Sequence, residues 1–171
     1  MRNVGATRLI LEPQMASHAT EMFAVLSDPA IYTYENSPPS SREWLRTRFE
    51  KLESRRSPDG SQLWLNWVVR LRSGQLIGYV QATVLQNGKA AIAYEFSSAY
   101  WGLGLAQEAA GALIRELVEH YEVSYLTAVA RSANVRSMRL LERLGFSPAP
   151  PDVSAESRLD PSETLLCRKL R

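Results

Sequence analysis

Three stretches in the middle of the chain are rich in apolar residues, many of them β-branched or aromatic. This pattern predicts strands over 63–71, 76–84 and 90–97. The dipeptides Ser73-Gly74 and Asn87-Gly88 separate them, and Asn-Gly is a strong signal for a tight hairpin. The three strands are therefore expected to form an antiparallel meander.

Two later stretches follow the spacing of an amphipathic helix instead. Apolar residues recur at three- and four-residue intervals from Ala106 to Val118, which predicts a helix over 105–121. A second pattern predicts a helix over 134–144, with Asn134 as its N-cap and Gly145 as its C-terminal stop. A strand is expected between the two helices, over 125–130.

Shorter elements complete the predicted order. They are a flexible N-terminal tail over 1–6, a strand over 8–12, helices over 17–26 and 40–54, loops over 31–39 and 147–162, and a last strand over 164–170. Ser40-x-x-Glu43 has the spacing of a capping box at the start of the second of these helices. Because a helix links the meander to the next strand, that strand should run parallel to the meander's last one. The fold class is α+β, in a single domain over 1–171.

Composition narrows the possible functions. The 171 residues are 45% apolar and 22% charged, which is ordinary for a globular protein. The net charge of +2 is too small to favour nucleic-acid binding. One cysteine, Cys167, excludes an internal disulfide, and His18 and His120 lack partners at metal-ligand spacing. No apolar run approaches 18 residues, and the first residues do not resemble a signal peptide. We therefore expect a cytoplasmic protein without a membrane, nucleic-acid or metal partner.

A glycine turn separates the meander from the first long helix. Gly102 and Gly104 lie where a strand passes directly into a helix N-terminus, an arrangement that presents backbone N–H groups to an anion such as a diphosphate. No P-loop sequence is present, and Gln107 stands where a dinucleotide fingerprint needs its third glycine. From the turn alone, a tight turn without a ligand remains the alternative.

The helix predicted over 134–144 places polar side chains near this turn. Asn134 and Ser137 both lie at its N-terminal end, and it follows a strand. If that strand neighbours the last strand of the meander, both helix N-termini open on the same side of the sheet.

Three segments, in this order and spacing, resemble the GNAT superfamily of acyl-CoA-dependent N-acyltransferases. Residues 7–13 (Thr-Arg-Leu-Ile-Leu-Glu-Pro) are similar to the opening strand of the branch that contains the ribosomal-protein N-terminal acetyltransferases. Residues 101–109 (Trp-Gly-Leu-Gly-Leu-Ala-Gln-Glu-Ala) resemble its Trp-Gly-x-Gly-x-Ala-x-Glu-Ala motif. Asn134-x-x-Ser137 with Leu144-Gly145-Phe146 resembles its Asn-x-x-Ser and Gly-Phe pair. The likeness extends over nearly the whole chain and implies a GNAT-type mixed sheet.

The resemblance implies acetyl-CoA as the acyl donor and assigns residues to it. Backbone N–H groups of the glycine turn would hold the pyrophosphate, the end of the meander would pair with the pantetheine amides, and Asn134 and Ser137 would lie beside the pantetheine arm. The implied cofactor-binding residues are Phe96, Ser97, Ser98, Trp101, Gly102, Leu103, Gly104, Leu105, Ala106, Asn134 and Ser137.

Catalysis by direct attack of an amine requires a base and an acid. Glu95 is the candidate base. Its alternatives are a side chain that points away from the site or an ion-pair role, and a water chain is the alternative base. The family's usual tyrosine acid falls at Leu141, which leaves Ser137 as the candidate acid, with helix capping as its alternative role. The family's basic residues in the turn fall at Ala99 and Leu103.

The acceptor is expected to be a small-molecule amine or a protein N-terminus. Tyr34 and Glu35 in the early loop are the candidate substrate-binding residues. The alternative function is a non-catalytic acyl-CoA-binding or regulatory module, suggested by the missing tyrosine and the missing basic residues. A homodimer through the last strands is a further possibility.

Overall fold

The computed structural model describes residues 1–34, 37–151, 154 and 159–170. The described strands and helices are, in chain order, β1 (Val4–Gly5), β2 (Leu9–Pro13), α1 (Ala19–Leu26), α2 (Arg42–Leu52), β3 (Gln62–Leu71), β4 (Leu76–Leu85), β5 (Lys89–Phe96), α3 (Leu105–His120), β6 (Tyr125–Arg131), α4 (Val135–Arg143), β7 (Ser147–Pro148) and β8 (Glu163–Lys169). The strands form one sheet in the order β1-β2-β3-β4-β5-β6-β8-β7.

The predicted meander and its parallel neighbour are confirmed. Strands β2 to β5 pair antiparallel in succession, and β6 pairs parallel with β5. That parallel ladder is short, because it begins at Lys89 with Tyr125 and ends at Ala91 with Thr127. Beyond this point β5 and β6 separate, and the gap between them opens toward the two helix N-termini.

Helices cover both faces of the sheet. The larger core joins α3 and α4 to one face, and Ala90, Ile92 and Phe96 of β5 are buried in it. The smaller core joins α1 and α2 to the opposite face around Val68 and Leu76. Since successive strand residues point to opposite faces, Ala93 and Glu95 face α1 and α2.

Several short features differ from the sequence prediction. Residues 1–6 do not form a free tail, because Val4–Gly5 pairs with β2, and the Arg2 guanidinium donates to the buried Glu116 carboxylate at 2.8 Å. The α2 N-cap is Ser41 rather than Ser40, since its hydroxyl accepts from the Trp44 N–H at 3.0 Å. Part of the predicted 147–162 loop is β7. None of the described helices has the length and apolar character needed to cross a membrane.

Candidate active site

The gap between β5 and β6 is a cleft whose walls come from both strands and from α4. We call it the sheet cleft. Its lining includes Ile92, Tyr94, Glu95, Phe96, Trp101, Ala106, Ala128, Val129, Asn134, Arg136, Ser137, Leu140 and Leu141. The parallel ladder stops at Ala91, so the backbone edge of β5 from residue 92 onward faces this cleft instead of a neighbouring strand.

The glycine turn lies at the mouth of the sheet cleft. Gly102 and Gly104 have φ of 76° and 73°, in the left-handed region that favours glycine. Gly104 is the N-cap of α3, and its carbonyl accepts from the Glu108 N–H at 3.1 Å. Within the described part of the chain, the N–H groups of residues 102–107 have no hydrogen-bond acceptor. The turn thus offers unused donors at the positive end of a helix dipole, which fits an anionic diphosphate.

Arg8 holds this turn from the β2 side. Its guanidinium donates to the Leu103 carbonyl at 2.9 Å and to the Glu108 carboxylate at 2.7 Å, and its backbone N–H also donates to Glu108 at 2.7 Å. Burial opposes ionisation of Glu108, but these Arg8 donors outweigh it and lower the pKa of the carboxyl. A residue at the start of the chain therefore fixes the conformation of a turn about a hundred positions later.

Arg136 brings positive charge to a turn that has no basic residue of its own. Its guanidinium lies 3.5 Å from the centre of the Trp101 ring and lines the sheet cleft. Leu103, where the family usually has a basic residue, is 55% exposed. Arg136 on α4 thus adds a second cation beside the turn, in addition to Arg8.

The predicted pairing of residues 96–98 with a ligand is not supported by their hydrogen bonds. The Ser97 N–H donates to the Ile77 carbonyl at 3.0 Å, and the Ser98 N–H donates to the Asp28 carboxylate at 2.7 Å. The Phe96 carbonyl accepts from the Trp101 indole at 2.8 Å. These groups are occupied within the protein, so the strand edge facing the cleft is the stretch of β5 before Phe96.

The polar start of α4 lies against β5. The Asn134 side chain accepts from the Ser137 N–H at 3.2 Å, which confirms Asn134 as the N-cap and leaves its amide nitrogen for the cleft. The Ser137 hydroxyl lies 2.9 Å from the phenol oxygen of Tyr94. Sequence analysis missed Tyr94. The alternation of β5 does place it on the same face as Ile92 and Phe96, but the contact with Ser137 depends on how α4 packs.

A second cavity lies on the opposite face of the sheet, under α1 and α2. We call it the helix-side cavity; its volume is about 490 Å³. Its lining includes Gln14, Tyr32, Trp44, Arg48, Asn66, Tyr79, Gln81 and Glu95. Among the described residues, Glu95 alone lines both this cavity and the sheet cleft.

Two tyrosines lie near Glu95 on the helix side. Tyr79 is its cross-strand partner on β4, and burial together with a hydrogen bond to the Glu95 carboxylate raises the pKa of Tyr79. Burial, followed by the charge of Glu95, also raises the pKa of Tyr32, whose hydroxyl donates to the Leu26 carbonyl at 2.8 Å. Both phenols therefore stay protonated at neutral pH and keep Glu95 in a polar setting.

The backbone beside Glu95 permits no side chain on its β4 neighbour. A Cβ on Gly78 would lie against the Glu95 carbonyl oxygen and 2.9 Å from the Phe96 Cα. Gly78 thus allows the last residues of β5 to approach β4 closely.

The early loop contributes to both cavities through different tyrosines. Tyr34, the predicted substrate-binding residue, lines the sheet cleft, and its carbonyl accepts from Arg131 at 2.9 Å. Tyr32 lines the helix-side cavity instead. Glu35, the other predicted substrate-binding residue, lies outside the described residues.

Comparisons with known proteins agree with this geometry. The family model described as "Acetyltransferase (GNAT) domain" matches residues 8–147. A comparison with curated protein sequences finds no match. Among solved structures, a GNAT-family acetyltransferase from Bacillus anthracis has 18% identity and a TM-score of 0.77, with 98% of each chain covered.

Two further solved structures are ribosomal-protein acetyltransferases. RimL in complex with coenzyme A has 14% identity and a TM-score of 0.80, with 98% of each chain covered. A ribosomal-protein-alanine acetyltransferase from Vibrio fischeri has 16% identity and a TM-score of 0.78, with 98% of this chain and 96% of the other covered. At these identities the likeness concerns the fold.

Proposed function

This chain belongs to the GNAT acetyltransferase family, and from that premise we propose that it transfers an acetyl group from acetyl-CoA to a primary amine. The observation that carries the proposal is the pair of cavities on opposite faces of the sheet, which share Glu95. One cavity suits the acyl donor and the other suits the acceptor. The amine attacks the thioester directly where the two cavities meet.

The residues of the sheet cleft fit coenzyme A. The unused N–H groups of residues 102–107 suit the pyrophosphate, and Arg136 adds positive charge on the Trp101 ring. The edge of β5 that faces the cleft from residue 92 and the amide nitrogen of Asn134 suit the amides of the pantetheine arm. When bound, acetyl-CoA supplies the acetyl thioester.

Glu95 is the proposed base. It faces the helix-side cavity, where an acceptor ammonium would lie, and also reaches the sheet cleft. Its carboxylate accepts the proton that the ammonium must lose before attack. The protonated phenol of Tyr79 orients the carboxylate through its hydrogen bond without competing for that proton.

Tyr94 and Ser137 are the proposed acid pair. Leu141 stands where the family's tyrosine is expected, but the Tyr94 phenol lies in the same cleft, 2.9 Å from the Ser137 hydroxyl. Tyr94 supplies a proton to the leaving thiolate, and the Ser137 hydroxyl orients the phenol. This assignment replaces Ser137 alone as the acid.

The test measures cofactor binding and thiol release separately. Calorimetric titration of coenzyme A into the wild type and Asn134→Ala is expected to give weaker binding for the variant, and Asn3→Ala, an exposed asparagine, serves as the control. Release of free thiol from acetyl-CoA is then followed with a panel of primary amines. Binding of coenzyme A without thiol release for any amine would support the non-catalytic alternative. No binding of coenzyme A would reject the sheet cleft as its site.

A further inference from the structure

Resting on the proposed function, we propose that the helix-side cavity selects primary amines that carry amide groups, and that Gln14 is the residue that recognises the far amide. The acceptor nitrogen lies at Glu95, and the rest of the acceptor extends under α1 and α2 toward Gln14.

Gln14 carries a buried side-chain amide whose nitrogen has no hydrogen-bond partner among the described residues. The residue is 3% exposed and lines the helix-side cavity. Its backbone is well anchored, because its N–H donates to the Asn66 carbonyl at 2.9 Å and its carbonyl accepts from Arg55. Burying an amide donor without a partner is unfavourable, and a complementary ligand group would recover that cost. Rotation of the terminal amide lets it donate or accept at the cavity wall.

Two more carboxamides lie between Gln14 and Glu95. Gln81 on β4 and Asn66 on β3 are paired across neighbouring strands, and both line the cavity. Glu95 lies on β5, so the row crosses three interstrand spacings of about 4.8 Å, or roughly 14 Å in all. Such a row suits an extended acceptor with polar groups along its length.

The charges of the cavity exclude other amine classes. Among the described lining residues, Glu95 and Arg48 are the charged ones. A polyamine would bring a second ammonium without a second carboxylate to pair with it. A plain alkylamine would leave the Gln14 amide nitrogen unpaired, and polar sites of this kind reject analogues that lack hydrogen-bonding groups.

Three amines of similar chain length test the proposal: glycylglycinamide, 6-aminohexanamide and n-hexylamine. The dissociation constant of each is measured by NMR titration of the protein saturated with coenzyme A, for the wild type and for Gln14→Met, which keeps the side-chain length and removes the amide. We expect both amides to bind the wild type more tightly than hexylamine. The variant should weaken binding of the amides about tenfold and leave hexylamine unchanged. Gln86→Met, an exposed glutamine in the β4–β5 hairpin, is the control.

The three amines distinguish a peptide acceptor from any other amine that carries a distal amide. Gln14-dependent binding of glycylglycinamide alone indicates a peptide acceptor, and equal dependence for 6-aminohexanamide indicates a distal amide on any amine. Equal loss for all three amines, no loss for any, or no binding of the amides to the wild type would overturn the proposal. Thiol release from acetyl-CoA is measured alongside, so that Gln14-dependent binding without turnover rejects the reaction and turnover indifferent to Gln14 rejects only this assignment.

Discussion

Tyr94 occupies the position from which a proton can reach the sheet cleft, although the family's usual acid position holds Leu141. Its phenol and the Ser137 hydroxyl form a pair across β5 and α4. We predict that Tyr94→Phe lowers kcat about 100-fold, at the lower end of what a positioned acid contributes, with little change in the KM for acetyl-CoA. Steady-state kinetics check this, with Tyr121→Phe, at the far end of α3, as the control. A rise in KM with unchanged kcat would assign Tyr94 to binding.

Glu95 carries a prediction about pH. Without its carboxylate, the acceptor must lose its proton to water, and this becomes easier as the pH approaches the amine's own pKa. Glu95→Gln should therefore lose kcat most at neutral pH and recover relative to the wild type at alkaline pH. A pH series of kcat/KM for one amine, with the exposed Glu50→Gln as the control, provides the measurement. A pH-independent deficit would mean that Glu95 positions the acceptor and does not take its proton.

Sequence analysis predicted the site residues that lie at the ends of strands and helices with a recognisable sequence pattern. The glycine turn, the Asn134 cap and Glu95 all follow directly from strand and helix boundaries. Gln14, Tyr32 and Tyr94 do not, because their roles depend on which neighbours the folded chain gives them. Gln14 in particular follows Pro13 at the end of a strand, where no periodicity predicts burial.

At the level of elements, the Arg8 contact joins β2 to the start of α3. The Arg8–Glu108 pair is partly exposed, with side-chain exposures of 50% and 16%, so its loss should cost less than about 1 kcal/mol of stability. Arg8→Met also frees the Leu103 carbonyl, which loosens the turn. We predict that coenzyme A binds about fivefold more weakly, equivalent to about 1 kcal/mol.

Calorimetry and denaturant unfolding of the same variant separate these two effects. Arg46→Met removes the exposed Arg46–Glu50 pair within α2 and serves as the control, with unchanged cofactor affinity expected. An unfolding free energy that falls as much as the binding free energy would show that Arg8 acts only through stability.

Element boundaries show where sequence periodicity is informative and where it ends. The long strands and helices were predicted to within about two residues because each repeats its pattern several times. The two-residue strands β1 and β7 were missed because a pattern of period two cannot be read from two residues. The α2 cap was placed one residue early, since Ser40 and Ser41 are adjacent and only the fold decides which hydroxyl reaches Trp44.

For the whole molecule, carboxylates with lowered pKa values predict a loss of stability in acid. The Ser57 hydroxyl, then the N–H and hydroxyl of Ser61, lower the pKa of Asp59 to about 2. Hydrogen bonds from Ser98 and then Ala30 lower the pKa of Asp28, and those from Ser162 lower that of Asp160. In the unfolded chain these groups take up protons at about pH 4.

Between about pH 5 and pH 2 the unfolded state thus binds more protons than the folded one, and the free energy of unfolding should fall as the pH falls. Urea midpoints at pH 7, 5 and 3 measure this. Asp28→Asn should flatten the curve between pH 5 and 3, whereas Glu142→Gln, a change to an exposed carboxylate, should not. A midpoint independent of pH would contradict the expected proton linkage.

The short parallel ladder between β5 and β6 also joins two parts of the sheet, the meander and the strands from β6 to β8, through few hydrogen bonds. Three residue pairs join β5 to β6, whereas β6 and β8 are paired over seven. The last part of the chain should therefore open as a unit more readily than the meander, and its amide protons should exchange with solvent sooner. A ligand spanning the sheet cleft would hold both parts together, so coenzyme A should slow amide exchange in β6 and β8 far more than in β3. The short ladder between β5 and β6 would then be the junction that cofactor binding stabilises most.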